Sequence, residues 1–189
     1  MDQLPDETLF ARLMKGDEEA LEVILARYAQ PLFGFLWRLT GDEALAEDLL
    51  QEVFIRLVTY NGRLPAHFRA WLYTVTRNLA YDALRARGRQ DAHRASSMDG
   101  NVDEFMNVAQ KLPESVAIGK ENVERIKRSL EQLPDEQRET VLLRFYQELT
   151  LEEIAKVTKV SLGTVKSRLY RALRLLQGML LREEVKDER

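Results

Sequence analysis

The sequence predicts an all-α protein made of two helical domains that are joined by a flexible linker. Ala, Leu, Glu, Arg and Lys dominate the 189 residues, which include only 9 Gly and 5 Pro. This composition favours helices over strands. Apolar residues recur at helical spacing through most of the chain. From about residue 90 to residue 119 this periodicity fails, and a polar segment separates two helical blocks.

The first block, residues 1–92, is predicted to form one domain of four helices. Gly16-Asp17 and Gly41-Asp42 each combine a helix stop with an N-cap, and Asn61-Gly62 predicts a turn. Pro31 lies inside the second helix, where we expect a kink or a break. The predicted helices are Asp6–Lys15, a long helix ending near Leu39, a third ending near Tyr60, and a fourth from near Pro65–Ala66 to about Arg87.

The second block, residues 119–189, is predicted to form the other domain. Residues 93–118 are the predicted linker, with one short helical piece around Glu104–Gln110. Pro134 is a favourable first residue of a helix. The helices predicted in this block are one from near Lys120, then Asp135–Glu148, Leu151–Val157, and a last one from Ser161 past Leu180.

Composition argues against disulfides, metal or cofactor sites, a signal peptide and a membrane span. The chain has no Cys and only two His, His67 and His93, so we predict no disulfide, no metal and no cofactor. Residues Met1–Thr8 carry acids instead of an apolar run, which argues against a signal peptide. No stretch of about 18 apolar residues exists to span a membrane. We therefore expect a cytoplasmic protein.

Charge alternates strongly along the chain behind its formal net charge of −3. The net charge is −7 over residues 1–60, +5 over 61–94, −4 over 95–160 and +3 over 161–189. Two separate basic segments between acidic ones indicate two nucleic-acid contacts rather than one.

The segment Thr150–Tyr170 has the pattern of a helix-turn-helix. Its apolar positions, among them Ile154 and Val165, lie where two short helices must pack, and the small Ala155 permits a close crossing. Ser161 can cap the second helix. Lys159 stands in the turn where such motifs often have Gly, so the turn requires a strained or different backbone.

The second helix of this motif presents a face suited to DNA. Leu162, Val165, Leu169, Ala172, Leu173 and Leu176 form one apolar arc. The opposite side is basic and rich in hydroxyls, and no acid lies between Ser161 and Arg174. Such a face suits the phosphates and base edges of a major groove. Lys166 and Arg168 flank this face, one at each boundary. The residues predicted to contact DNA are Ser161, Gly163, Thr164, Lys166, Ser167, Arg168, Tyr170, Arg171 and Arg174.

The fourth and third helices carry polar faces of opposite charge. In the fourth, Arg77, Asn78, Tyr81 and Arg85 lie together on a flank predicted to be exposed, where they can hold unstacked DNA or simply form a basic surface. In the third, an acidic side faces either water or a basic protein surface, and composition alone favours water. That side is formed by Glu47, Asp48, Gln51 and Glu52, next to Ile55.

Three segments resemble sigma factors of RNA polymerase. Residues 46–57 (AEDLLQEVFIRL) resemble region 2.2 of sigma factors. Residues 68–79 (FRAWLYTVTRNL) resemble regions 2.3 to 2.4 of the extracytoplasmic-function group. Residues 133–145 (LPDEQRETVLLRF), together with the helix-turn-helix, resemble region 4. The segments occur in the family's order and, apart from the linker, cover almost the whole chain.

The resemblance implies a promoter-recognition factor with sigma domain 2 in residues 1–92 and sigma domain 4 in residues 119–189. It implies that the acidic side of the third helix binds the β′ clamp helices of core RNA polymerase, which replaces the interpretation that it faces water. Lys166, Ser167, Tyr170 and Arg171 match positions that read the −35 element, and Asn78 matches the position that holds a flipped −10 base. The set implied to bind the −10 element is Asn61, Gly62, Arg63, His67, Phe68, Arg77, Asn78, Tyr81 and Arg85.

Further partners follow from the same resemblance. They are the polymerase β flap, promoter DNA and an anti-sigma factor, which in this group is often anchored in the membrane. The linker resembles the segment that threads toward the active-centre and RNA-exit channels. Region 1.1 and a folded domain 3 are expected to be absent.

Other classes of function are weighed against this one. An enzyme is not predicted, because no Gly-rich phosphate loop, HExxH motif or nucleophile motif is present. A response regulator would need strands in the first half of the chain, and none is predicted there. A helix-turn-helix regulator or a protein-binding helical adaptor, each without sigma activity, stays as the alternative.

Overall fold

The computed structural model describes residues 3–91 and 120–187, and within these ranges the chain is helical and contains no strand. The all-α prediction is therefore confirmed. The short helix predicted around Glu104–Gln110 lies outside the described residues. The helices are α1 (Asp6–Leu13), α2 (Glu18–Thr40), α3 (Glu43–Val58), α4 (Phe68–Asp91), α5 (Lys120–Glu131), α6 (Asp135–Val141), a π-helical turn (Leu142–Tyr146), α7 (Leu151–Thr158) and α8 (Leu162–Asp187).

The two predicted stop-and-cap pairs are confirmed. Gly16 and Gly41 have φ of +86° and +70°, a region that Gly enters without a steric penalty. Asp17 accepts the backbone N–H of Ala20 at 3.2 Å, and Asp42 accepts that of Leu45 at 2.9 Å. These bonds satisfy donors that a helix start leaves unpaired.

Of the kink or break predicted at Pro31, the break is absent, because α2 continues through this residue. Pro31 is exposed, whereas Tyr28, Leu32 and Phe35 on either side of it are buried. The carbonyl that loses its helical partner at a proline can be hydrated on the solvent side. Burial of the opposite face then keeps the helix continuous.

Two other boundaries differ from the predictions. Helix α4 starts at Phe68 instead of Pro65–Ala66, and the Glu7 carboxylate of α1 accepts the Phe68 N–H at 3.2 Å. The predicted helix Asp135–Glu148 ends earlier, because α6 passes into the π-helical turn, where the Gln147 N–H donates to the Leu142 carbonyl at 3.2 Å. A cap from a distant helix and a π turn are tertiary features that helical periodicity does not encode.

One buried apolar cluster runs through both helical blocks. It extends from Leu9 and Phe10 in α1 to Val157 in α7 and Val165 in α8. Helix α7 packs on α4, and the π-helical turn packs on α2. The two predicted domains are thus in direct contact in this conformation. Within the described residues, no helix combines the length and apolar character needed to cross a bilayer.

Candidate nucleic-acid and protein interfaces

The helix-turn-helix is held by local hydrogen bonds at both of its helix starts. Thr150 and Glu153 form a reciprocal capping box at the start of α7, a Thr-x-x-Glu signal that was readable in the sequence but was missed. Ser161 caps α8 as predicted, since its Oγ accepts the Thr164 N–H at 3.1 Å. Lys159 joins the helices at φ +57°, which confirms that this turn uses the left-handed backbone region favoured by Gly.

The basic, hydroxyl-rich side of α8 is open to solvent. The name α8 surface is used here for Lys166, Ser167, Tyr170, Arg171 and Arg174, all of which are exposed. Tyr170 is 62% exposed, and the Arg174 guanidinium lies 3.3 Å from its hydroxyl. The arrangement offers cations and hydrogen-bonding groups to a polyanion on one continuous face.

One residue of α8 departs from the predicted division of faces, and one lies at its boundary as predicted. Leu173, placed on the apolar arc, is 43% exposed, whereas Val165 and Ala172 on the same arc are buried. Arg168, at the boundary, has a side chain that is only 17% exposed, and its guanidinium pairs with the Glu136 carboxylate of α6 at 2.6 Å. Arg168 therefore orients α8 against α6 in this conformation.

The loop before α4 is exposed and backed by aromatic rings. Asn61, Gly62, Arg63 and His67 all face solvent. The Tyr60 hydroxyl donates to the Arg63 carbonyl at 2.8 Å. A Cβ at Gly62 would lie 2.6 Å from that hydroxyl, so the loop needs glycine where it crosses the ring.

Phe68 is a correction to the predicted DNA-binding set. The side chain is 0% exposed, and its ring lies 4.8 Å from that of Phe10 between centroids. Tyr60 and Trp71 complete the cluster, with ring centroids 4.8 Å apart. Such packing supports the loop from below, and it leaves Phe68 no surface for a base.

The basic flank of α4 is mostly covered, contrary to the prediction that it is exposed. The name α4 surface is used here for Arg77, Asn78, Tyr81 and Arg85. Of these only Arg85 is exposed, and it pairs with Asp82 at 3.3 Å. The other three are half-buried, and the pKa of Tyr81 is raised by burial and by the neighbouring Glu139 carboxylate.

Helix α6 contacts the α4 surface through the Glu139 carboxylate. The Arg77 Nε and Nη2 atoms donate to the two carboxylate oxygens of Glu139 at 2.5 and 3.2 Å. Burial acts to raise the pKa of Glu139, and the Arg77 guanidinium opposes that rise. No sequence signal marked Glu139 as a partner, because a single Glu in an acidic helix is typical of a solvated face.

The acidic side of α3 lies on the surface as predicted. The name α3 surface is used here for Glu47, Asp48, Gln51, Glu52 and Ile55. Ile55 is 56% exposed, and Glu52 pairs with Arg56 at 2.8 Å. Glu47 and Asp48 form no ion pair within residues 3–91 and 120–187, and an exposed apolar side chain beside such carboxylates is suited to a basic protein partner. Among the described residues, no group of three His, Asp or Glu side chains is arranged to hold a metal ion.

Two family models match the chain, in the order that the motifs predicted. Residues 24–90 match Sigma-70 region 2, and residues 123–176 match Sigma-70, region 4. The first match contains the α3 and α4 surfaces, and the second contains the α8 surface. Neither a receiver domain nor an unrelated helical adaptor accounts for both matches.

Similar proteins and structures agree with these matches. The chain is 33% identical to the ECF RNA polymerase sigma factor SigX of Bacillus subtilis over 177 residues, or 90% of each chain. It is 32% identical to the ECF RNA polymerase sigma-E factor of Escherichia coli K12, covering 90% of this chain and 92% of the other.

A similar solved structure is the sigma factor RpoE in complex with the anti-sigma factor NepR from Bartonella quintana. The TM-score is 0.67 at 25% identity, over 85% of this chain and 96% of the other. CnrH, solved with the cytosolic domain of CnrY, has the same fold, with a TM-score of 0.65 at 21% identity over 93% and 96% of the two chains.

Proposed function

The chain belongs to the extracytoplasmic-function group of the sigma-70 family and acts in promoter-specific transcription initiation, and we propose that three surfaces divide this task. The α3 surface binds core RNA polymerase, the α8 surface reads the −35 element, and the α4 surface holds the −10 element together with the loop before it. The domain boundaries 1–92 and 119–189, with the linker 93–118 between them, belong to the same proposal.

The observation that carries the proposal is the exposed face of α8, which has cations and no acid. Its arginines and lysine can contact phosphates, which position a protein on duplex DNA. Tyr170, Ser167 and the guanidinium of Arg171 can contact base edges in the major groove. The Ser161 cap fixes the start of the helix at the place where a recognition helix meets the bases.

At the −10 element we propose capture of an extruded base. Asn78 offers an amide that can pair with a base edge, and Tyr81 offers a ring for stacking. The exposed loop Asn61–His67 lies over the aromatic cluster and forms the wall of the pocket. Holding an extruded base offsets the cost of unstacking it, which favours the melted promoter.

At the polymerase we propose that the α3 surface docks on the β′ clamp helices. Asp48 and Glu47 are exposed carboxylates without an ion pair among the described residues, so they are available to a basic partner. Domain 4 would contact the β flap. The core enzyme supplies the chemistry of RNA synthesis, and this chain, itself not an enzyme, supplies the promoter address.

We infer that an anti-sigma factor also binds this chain. RpoE from Bartonella quintana was solved in complex with an anti-sigma factor, and this relative covers most of the present chain. The inferred location is the cytoplasm, with attachment to the inner membrane only through such a partner.

The proposal is tested by selection of promoters with the reconstituted holoenzyme from a randomised DNA library. We expect enriched sequences to contain two blocks at a fixed spacing, one for the α8 surface and one for the α4 surface. Core polymerase alone serves as the control and should enrich neither block. Enrichment of a single block, or of none, would refute the division of labour proposed here.

A further inference from the structure

We propose that the free chain closes on itself, and that Glu139 occupies on Arg77 the place that promoter DNA takes in the holoenzyme. The inference rests on the proposed role of α4 in −10 binding and adds a form of regulation to it. Its consequence is that closure and −10 binding exclude each other.

The contact between the first and second helical blocks follows one face of α4 over more than two turns. Arg69, Tyr73 and Arg77 are spaced four residues apart and therefore lie above one another on the helix. Arg69 donates to the Gln147 backbone carbonyl, and the Tyr73 hydroxyl donates to the Gln147 Oε1 at 2.6 Å. Arg77 completes the row with its paired bonds to Glu139.

A second helix of the first block joins the same contact. The Arg38 guanidinium of α2 lies 4.5 Å from the ring centroid of Tyr146 in the π-helical turn. Cations over aromatic rings attract the ring face, most strongly when they are desolvated. The burial of Arg38, which lowers its pKa, places this pair in that stronger class.

Helix α4 is buried on two faces, as a closed conformation requires. Phe68, Leu72 and Leu79 form an apolar stripe along α4 that packs into the first block. Tyr73 and Thr76 are also buried, at 1% and 0% exposure, although they lie off that stripe. A helix buried on more than one face has partners on more than one side, and here one of those partners is the helix-turn-helix half of the chain.

The ion pair is the part of this contact that DNA can compete for. Glu139 is 0% exposed, and a buried carboxylate that loses its cation is strongly disfavoured. Closure therefore depends on Arg77. A guanidinium binds carboxylate and phosphate in the same two-pronged geometry, so Arg77 cannot serve Glu139 and promoter DNA together.

The side chains beside Arg77 are also less accessible to DNA in the closed chain. Asn78 and Tyr81 are half-buried beside the pair, and the Arg77 guanidinium lies 4.6 Å from the Tyr81 ring centroid. The Glu139 carboxylate of α6 lies against both Arg77 and Tyr81, so a base that stacks on Tyr81 has to displace it. The free chain is thus expected to carry a covered −10 surface and an open −35 surface.

The test measures closure in the full-length free chain by energy transfer between two dyes. Because the chain has no Cys, cysteines introduced at the exposed Ala44 and Lys156 are the only labelling sites. Glu139→Arg sets two cations against each other and is expected to lower the transfer efficiency. Arg77→Glu sets two carboxylates against each other and should do the same from the other side of the contact.

The charge swap Arg77→Glu with Glu139→Arg restores an opposite pair, so it should return the transfer efficiency to the wild-type value. Glu152→Arg, which adds the same charge at an exposed position of α7, should leave it unchanged. Circular dichroism checks that each variant is folded, and Arg77→Glu decides the outcome if Glu139→Arg is not. Wild-type transfer efficiency in the folded single variants, or no restoration by the charge swap, would overturn the proposal that the Arg77–Glu139 pair holds the chain closed.

Binding of a labelled pool of random single-stranded DNA tests the competition itself. Apparent affinity falls by the fraction of chain that is competent to bind. If the open form is about a tenth of the free chain, Glu139→Arg should bind this pool about tenfold more tightly. The Glu152→Arg control should gain much less, since it adds charge without opening the chain.

Equal gains in Glu139→Arg and Glu152→Arg would overturn the competition between closure and DNA. This outcome for the free chain does not test the proposed function, which is measured separately as promoter opening by the holoenzyme. Loss of the −10 role of Asn78 in that assay would leave the energy-transfer result standing.

Discussion

The two surfaces of this sigma factor that we propose to bind DNA have similar chemistry and different accessibility. The α8 surface is exposed along its length, with Tyr170 at 62%. The α4 surface also combines arginine, a hydrogen-bonding side chain and tyrosine, but three of its four residues are half-buried and Glu139 of α6 neutralises Arg77. Residue types on a helix thus indicate what a surface can bind, and tertiary packing decides when it is available.

The difference also has an electrostatic side. Arg168 of α8 pairs with an exposed carboxylate, that of Glu136, whereas Arg77 of α4 pairs with a wholly buried one. Exposed ion pairs contribute little and are screened by salt. The pair on α8 should therefore yield to a phosphate readily, and the pair on α4 should yield only when the two halves of the chain separate.

The largest effect is expected from charge reversal on the open surface. Lys166→Glu should weaken binding of the holoenzyme to −35 duplex about 10- to 100-fold, because it removes an attraction and adds a repulsion at the groove. Filter binding or anisotropy measures this loss. Lys15→Glu, the same change at an exposed residue of the first block, should have little effect, and an equal loss in both variants would contradict a specific role for α8.

A smaller and more selective effect is expected from the covered surface. Asn78→Ala should reduce open complexes of the holoenzyme about tenfold, equivalent to losing about 1.4 kcal/mol of contact with the extruded base. Binding to −35 duplex should not change. Permanganate reactivity of unpaired thymines measures opening, and Gln132→Ala, an exposed amide elsewhere, is the control. Wild-type opening by Asn78→Ala would exclude this residue from base capture.

Reversal of charge on the α3 surface should weaken assembly of the holoenzyme. Promoter contacts by the α4 and α8 surfaces should then fall together. Asp48→Arg is expected to weaken binding to core polymerase about tenfold, because it removes a carboxylate from a face proposed to meet a basic partner. Competition with the wild-type chain for limiting core measures this loss. Glu22→Arg, at an exposed position of α2, should compete as wild type does. Undiminished competition by Asp48→Arg would place the polymerase contact elsewhere.

The smallest expected effect is on stability, and it distinguishes a residue of α8 that caps the helix from one proposed to contact DNA. Ser161→Ala removes the cap on the Thr164 N–H and should lower the free energy of unfolding by about 1 kcal/mol. Ser167→Ala, a hydroxyl on the same helix outside the cap, should change it by less than about 0.5 kcal/mol. Urea denaturation followed by circular dichroism gives both values, and equal values would argue against the cap.

Most of the secondary structure followed from local signals in the sequence. Gly16-Asp17 and Gly41-Asp42 marked helix boundaries correctly because capping is a local property of a few residues. The exposed face of α8 was also predictable, because a helix face with cations and no acids indicates a solvent-exposed surface suited to a polyanion whatever the rest of the fold.

The features that the sequence did not reveal are long-range contacts. Pro31 predicted a kink or a break, and burial of the surrounding helix is consistent with the absence of a break. Phe68 was assigned to DNA although it lies in the core, because an aromatic residue at a helix start fits either role. The pairing of Arg77 with Glu139 joins residues 62 positions apart, and no pattern along the chain connects them.

The central claim, that the free chain presents its −35 surface and covers its −10 surface, is tested most directly by two DNA probes. After promoter selection, the free chain and the holoenzyme are each titrated with the selected −35 duplex and with the selected −10 single strand. The account predicts that the free chain binds the duplex measurably but the −10 strand no better than a scrambled strand, whereas the holoenzyme binds both. Binding of the −10 strand by the free chain as tightly as by the holoenzyme would contradict it.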